Sequence, residues 1–408
     1  MKEKLNKKEM TDSRYCLMYE KNKMQSYANS LENLALFFQS QERGQPSGDR
    51  EKALFQNRIW ENQILLADQF RQIAKAMDSV AKERFRKIHL GRRKEKEIER
   101  LLALENIYVE DFYLLEKEDG KRQIVICARE GRSSDWLFSP KTNPSVKTVK
   151  TVENLAEYLT VCFNMPLVPS GEQTAYFLTD KNTYFYLEEE PKYLVLSGYA
   201  KATKEGETIS GDNHVFFDTS AGKFYCLLSD GMGSGEKANK DSSMVLDMME
   251  RLLEAGFTEE LSVQLLNNCL VARQEGGNMS TLDYCAVDYH TGNCEFLKMG
   301  ACESYVKRDH HIEKIQWDSL PLGIFQEEKI EKQSRILSHG DYVFLWSDGV
   351  GASINFDFLE EVLETIPYRH PTEMANYLMK YVLQMHQGRV KDDITILVLG
   401  LWENRHRD

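Results

Sequence analysis

Two apolar runs in the second half of the chain end on the same tripeptide: KFYCLLSDG at 223–231 and DYVFLWSDG at 341–349. Both runs read as β-strands, so each Ser-Asp-Gly falls at a strand end. Two further acidic stations repeat the arrangement. Ser210-Gly211-Asp212-Asn213 precedes the run HVFF, and Lys391-Asp392-Asp393-Ile394-Thr395 opens ITILVLGLW. Taken singly, an Asp-Gly is more often a turn than a ligand. Four acidic stations flanking four strands are a different matter, because carboxylates at neighbouring strand ends converge on one point and glycine lets a main-chain carbonyl approach it. Hard divalent cations such as Mg²⁺ and Mn²⁺ take such oxygen ligands.

The loop LSDGMGSGE, 228–236, admits another use. It follows a strand and precedes a helix, as a dinucleotide loop would. Its spacing is GxGxG instead of GxGxxG, however, and no acidic residue ends a clear second strand about 20 residues on. Lys237 is followed by Ala238, so GxxxxGK[ST] is absent too. Asp230 directly before the first glycine would face a pyrophosphate with like charge. A nucleotide-binding oxidoreductase is therefore the weakest reading.

Other β-rich runs in this half are YLVLSGYAKAT, DYCAVDY, CEFLKMG and ESYVKR. Helical stretches at 238–255, 259–273 and 372–387 interrupt them. Many strands with few helices favour an α/β sandwich of largely antiparallel sheets over a parallel doubly wound sheet. His310 and His311, in RDHHIEK, read as a solvated hairpin turn. Ser229 and Ser347 read as strand-end hydrogen-bonders instead of nucleophiles, since no Cys or Ser has a His and an acid in a recognisable arrangement.

The first half differs. SLENLALFF at 30–38 has a Ser N-cap and helical pattern. From Trp60, the residues Leu66, Phe70, Ile73, Met77 and Val80 form one apolar stripe, packed in its own domain or used for dimerisation or signalling. Continuation through KERFRKIHLGRRKEKEIERLLALE predicts a long helix or helical hairpin to about 104. Its basic cluster, Arg84 to Lys94, reads as a solvated face. Two strands joined at Asp119-Gly120 and a helix at 152–163 then predict a small α+β module. The expected division is 1–105 helical, 106–190 a small α+β module and 191–408 the sandwich, 408 residues being too many for one ordinary core.

A net charge of −12 argues against nucleic acid as partner. Eight cysteines without a CxxC pair read as reduced, mostly packed thiols of a cytosolic protein, not a disulfide framework or zinc site. No apolar run approaches the roughly 18 residues of a spanning helix, and the polar start MKEKLNKKEM is no secretory signal. The expectation is a cytoplasmic chain without membrane contact of its own, at the cytosolic face of a membrane if it is part of a longer protein.

SGDN, SDGMGSGEKA, SDG and DDIT, in that order, resemble the metal-dependent PPM (protein phosphatase 2C-like) Ser/Thr phosphatases. Within them, VFFDTSAGKFYCLLSDGMGSGEKANKDSS, STLDY, CEFLKMGACESYVKR and LPLGI are similar to the bacterial stage II sporulation protein E group. The resemblance is dense over 193–402, and WENQILLADQFRQIAKAM looks like that group's cytosolic regulatory region. It implies a PPM-type sandwich of two antiparallel sheets flanked by helices, and two Mn²⁺ or Mg²⁺ ions. Asp230 would bridge them, with Asp212 and the Gly231 carbonyl on one ion and Asp348 and Asp392 on the other. Asp393 stands where many relatives have Asn and is a supporting or alternate ligand. Met232 stands where eukaryotic relatives often have a His that is a proposed acid, and a thioether donates no proton. The implied substrate is a phosphorylated anti-sigma factor antagonist, whose dephosphorylation frees a sporulation sigma factor, with N-terminal helices controlling activity and offering a homodimer contact. The competing expectation is a PPM-fold sensor or scaffold without chemistry, which the four intact acidic stations disfavour.

Overall fold

A computed structural model of the chain describes residues 31, 35, 70–71, 86–88, 90–116, 122–131, 150–171, 175–219, 222–254, 257–272, 279–324, 330–351, 356–367 and 369–404. The chain divides into two compact units. One takes in 80–190, and the other takes in 24–79 together with 191–406. The boundary expected at 105 falls inside the first unit.

The first unit holds one antiparallel sheet in the order β1-β2-β3-β5-β4. Its strands are β1 (Arg86–Ile88), β2 (Ile107–Glu116), β3 (Arg122–Glu130), β4 (Leu167–Pro169) and β5 (Thr183–Glu189). Two helices, α1 (Arg92–Leu104) and α2 (Val152–Phe163), share an apolar cluster with the sheet through Ile98, Leu102, Leu155 and Leu159. The long helix expected through residue 104 is not what forms. Arg86–Ile88 pairs with Leu114–Glu116 as a strand, and the helix starts afresh after Gly91. A β-ladder to a longer strand outweighs helix propensity there. Arg92, Arg93 and Lys94 are exposed, in line with a solvated face. Thr151 and Asn154 close a capping box at the start of α2, and Asn164 ends it in a left-handed conformation at φ 49°. The strands flanking Asp119-Gly120 pair as expected, and the turn itself lies outside the described residues.

The second unit stacks two five-stranded antiparallel sheets. One runs β13-β10-β9-β8-β7 and the other β12-β11-β14-β15-β6. The first comprises β7 (Asp212–Thr219), β8 (Lys223–Asp230), β9 (Leu282–Asp288), β10 (Asn293–Met299) and β13 (Lys332–Ile336). The second comprises β6 (Tyr193–Ala202), β11 (Ser304–Arg308), β12 (His311–Ile315), β14 (Tyr342–Trp346) and β15 (Ile394–Glu403). Side chains alternate along each strand. Phe224, Cys226 and Leu228 of β8 meet Val343, Leu345, Leu397 and Leu399 between the sheets. Tyr225 and Leu227 face the other way, into a cluster with α3 (Gly235–Glu254) and α4 (Glu259–Ala272). On the second sheet, Phe344, Trp346 and Val398 pack with α6 (Phe356–Thr365) and α7 (Pro371–Met385). Both faces of each central strand are thus covered, which is why FYCLL and YVFLW are apolar without a break. This is the expected helix-sheet-sheet-helix sandwich. The hairpin read at His310 and His311 forms between β11 and β12, with Asp309 at φ 51°. Strands β12 and β13 escaped the sequence reading, because HIEKI and KQSRI are largely polar.

Of the N-terminal stretch, Leu31, Ala35 and Phe70 are described. All three are helical and buried in the cluster that holds Val245, Met249 and Leu266 of α3 and α4. Leu66, Ile73, Met77 and Val80, read as one stripe with Phe70, lie outside the described residues. The seven described cysteines are free thiols. No described helix is long and apolar enough to cross a membrane.

Candidate metal centre

The sandwich delivers the acidic stations to one place. Asp212 is the first residue of β7 and Asp230 the last of β8, and the two are Cα partners across the ladder. From the other sheet, Asp348 follows β14 as the first residue of α5 (Asp348–Gly351), and Asp392 and Asp393 precede β15, the partner strand of β14. A strand pair therefore presents its carboxylates from each sheet at a common end. Asp212 and Asp393 are buried, Asp230 and Asp392 half-buried, and Asp348 is exposed at the mouth.

Hydrogen bonds lock this frame. Thr395 Oγ1 donates to Asp212 Oδ2 at 2.8 Å, linking the two sheets, while Asp212 Oδ1 is buried without a partner. Thr281 Oγ1 accepts from the Asp230 amide at 2.9 Å, and the Thr281 amide donates to the Asp230 carbonyl at 2.9 Å. Asp393 accepts the Gly211 amide on Oδ2 at 2.7 Å and the Lys204 amide on Oδ1 at 2.9 Å, so it ties the 203–211 loop to the start of β15. Asn239 Nδ2 of α3 donates to the Ser210 carbonyl at 2.8 Å. Ser229 Oγ donates to the Thr281 carbonyl at 2.7 Å, and Ser347 Oγ accepts the Thr395 amide at 2.9 Å, the strand-end roles expected of both serines.

The glycines are demanded by close approach. A Cβ on Gly231 would sit 2.0 Å from the Ala238 carbonyl oxygen, and one on Gly349 would sit 2.0 Å from the Asp393 carbonyl oxygen. Met232 is exposed.

Electrostatics mark the centre as a place for cations. Burial, then the charges of Asp212 and Asp348, push the Asp230 carboxyl from its ordinary 3.8 up to about 8. Burial likewise raises Asp212, against hydrogen bonds from Ser347 and Thr395. Lost solvation at its carboxyl and then the charge of Asp392 raise Asp348. Carboxylates held this close resist sharing negative charge, and a divalent cation removes that conflict. The unpartnered Oδ1 of Asp212 supplies the oxygen such an ion would take. Among the described residues no three acidic, His or Cys side chains already stand at metal-holding spacing.

Beside the centre, a pocket of about 50 Å³ is lined by Asp230, Thr281, Asp283, Cys302, Ser347 and Asp348. Behind it lies a buried group absent from the sequence reading. Lys298 Nζ bonds both oxygens of Asp283 at 2.8 Å and Ser304 Oγ at 2.7 Å, and Asp283 and Lys298 are each only 1% exposed. Lys201 was also missed. Its ammonium donates to the Asp212 carbonyl at 2.6 Å, and partial burial lowers its pKa. Thr281 sits within STLDY, where only its place next to the Ser280 bridge to Gly231 gives it meaning. No pattern in one sequence points to these side chains, because each is brought in by strand pairing across distant segments.

Residues 220–402 match the family model for stage II sporulation protein E. The stage II sporulation protein E of Bacillus subtilis is 32% identical over 217 residues, 52% of this chain and 26% of that protein. A solved structure of the PP2C phosphatase domain and a fragment of the regulatory domain of SpoIIE from Bacillus subtilis aligns over 86% of this chain and 98% of its own, at 25% identity and a TM-score of 0.56. The chain is thus similar, in sequence over 220–402 and in fold, to the PPM (protein phosphatase 2C-like) phosphatases of the stage II sporulation protein E group. The phosphoserine phosphatase RsbU of Bacillus subtilis is a more distant relative, 23% identical over 201 residues, 47% of this chain and 59% of that protein. The chain spans about a quarter of the length of the sporulation protein it matches.

Proposed function

We propose that the chain is a metal-dependent phosphoserine/phosphothreonine protein phosphatase acting on a phosphorylated anti-sigma factor antagonist, and so activating a sporulation sigma factor. The convergence of Asp212 and Asp230 from one sheet with Asp348 and Asp392 from the other carries this reading, joined to the likeness to SpoIIE and RsbU. Asp212, Asp230, Asp348, Asp392 and the Gly231 carbonyl would hold two Mn²⁺ or Mg²⁺ ions. Such a pair of ions, when bound, supplies a water nucleophile at neutral pH and neutralises the phosphoryl oxygens.

The chain's own residues supply the frame. Thr395 fixes one oxygen of Asp212 and leaves the other for an ion. Thr281 pins the main chain of Asp230. Asp393, with both oxygens on backbone amides, supports the loop instead of adding a ligand. Neither Ser229 nor Ser347 serves as nucleophile, since both hydroxyls are bound to main chain. Met232 offers no proton to a leaving group, which leaves that task to water.

Regulation by the N-terminal helices has a physical route. Leu31, Ala35 and Phe70 pack on α3 and α4. Helix α3 starts five residues after Asp230 and holds the 210–211 loop through Asn239. A shift of these helices would displace both sides of the centre. The chain acts in the cytosol, or at the cytosolic face of a membrane if it belongs to a longer protein. Phosphate release from a phosphoserine-bearing antagonist protein in Mn²⁺, with Asp230→Asn as control, tests the chemistry. Phe70→Ala tests the route, since it should change turnover at a temperature where the protein stays folded. Equal turnover would remove the helices from the account.

A further inference from the structure

We infer that Lys204 is the side chain that contacts the phosphoryl group of the substrate, an assignment that rests on the phosphatase reading above. Lys204 lies just after β6 in the 203–211 loop, and its amide is fixed by Asp393 Oδ1 at 2.9 Å. Its ammonium reaches Asp392 Oδ1 at 3.4 Å, with about a third of the side chain exposed (35%). Asp392 Oδ1 also accepts the Asp393 amide at 3.0 Å. The ammonium is thus held at the rim by its backbone and turned toward the acidic centre by a long, half-exposed ion pair.

Such a pair is weak. Once Asp392 directs its charge to a cation, the ammonium loses most of its reason to stay on that carboxylate. It then stands as a solvent-accessible donor next to the ions. Lys201, a second ammonium at the centre, is already engaged by the Asp212 carbonyl at 2.6 Å, a much shorter contact than that of Lys204 to Asp392.

Charge gives the same answer. Five ionised aspartates at the centre outweigh two divalent cations by one negative charge. A site for a phosphate monoester, itself a dianion, needs the excess to be positive. Lys201 and Lys204 together reverse the sign, and of the two Lys204 holds the longer contact, 3.4 Å against 2.6 Å, and is the freer to turn to an incoming phosphoryl oxygen. A lysine acts there as a mobile point charge, able to move from Asp392 to the phosphoryl group.

The test uses the full chain in Mn²⁺, with a phosphoserine peptide as substrate and inorganic phosphate as inhibitor. Lys204→Met should raise KM for the peptide and weaken inhibition by phosphate, each about tenfold, or about 1.4 kcal/mol. Mn²⁺ affinity, read by titration calorimetry, should not weaken, and Lys204→Arg should restore most of both effects. Weakened Mn²⁺ binding with unchanged phosphate inhibition would show that Lys204 only sets Asp392, and would overturn the assignment. Unchanged KM and inhibition in an active Lys204→Met protein would overturn it alone. Absence of turnover by the unmodified protein on every phosphoserine substrate would overturn the phosphatase reading, and the assignment with it.

Discussion

Asp212 and Asp230 face each other across the β7–β8 ladder, first residue of one strand against last residue of the next. Antiparallel pairing makes that meeting unavoidable once the register is set, and one step of slippage would send one of the two carboxylates to the opposite face. Thr395 then ties the pair to the second sheet through Asp212 Oδ2. The centre is a consequence of how the two sheets stack.

Asp230→Asn should trade stability for function. The carboxyl is held up to about 8 by burial and by its neighbours, so it is a source of strain in the folded chain without cations. The amide removes that repulsion and should raise the stability of the chelator-treated protein by about 1 kcal/mol. The same change should abolish Mn²⁺ binding by calorimetry. A variant that is both less stable and still binds Mn²⁺ would contradict the role given to Asp230.

The same carboxyl fixes the sign of a pH effect. Its folded value, about 8, lies above the ordinary 3.8, so the folded state binds the proton more tightly than the unfolded state does. Stability of the chelated protein should therefore fall as pH rises through this window and level off above it. Because cations compete with that proton, Mn²⁺ affinity should rise over the same range. Urea unfolding and metal titration at several pH values from about 5 to about 9 measure both trends, and Asp230→Asn should flatten both.

Much of this was legible in the sequence, for identifiable reasons. Strands covered on both faces leave unbroken apolar runs, so β8, β14 and β15 stood out, and the acidic residues at their ends stood out with them. Edge strands such as β12 and β13 are polar and short, and gave no signal. Arg86–Ile88 has a helical neighbourhood, and only its partner Leu114–Glu116 makes it a strand. Thr281, Lys201, Lys204 and the Asp283–Lys298 pair depend on partners 11 to 189 residues away, from Lys201 and Asp212 at 11 to Lys204 and Asp393 at 189. No local pattern encodes a contact of that kind.

Lys298 should be a costly residue to remove. Its ammonium and the Asp283 carboxylate are both buried, so Lys298→Met leaves an unpaired buried charge, with an expected loss of about 3–5 kcal/mol. The double variant Asp283→Leu/Lys298→Met should recover much of that loss, and denaturant midpoints of the two single variants and the double variant measure the coupling.

Gly231→Ala and Gly349→Ala should each disturb the centre without touching a carboxylate. Their added methyl groups would press on the carbonyl oxygens of Ala238 and Asp393 at 2.0 Å, a contact only backbone movement relieves. The expected cost is about 1–3 kcal/mol in stability, with weakened Mn²⁺ binding. Thermal unfolding and calorimetry on the purified variants check this. Gly91→Ala, which meets nothing within 4 Å, serves as the neutral comparison.

The most direct test of the central claim is phosphate release from a phosphoserine-bearing protein substrate by the full chain, with Mn²⁺, with chelator, and with Asp230→Asn. The carboxylate centre predicts release in Mn²⁺ that stops with chelator and falls at least roughly 100-fold in Asp230→Asn, about 2.7 kcal/mol of barrier. Release that persists in chelator, or at an unchanged rate in Asp230→Asn, would contradict it.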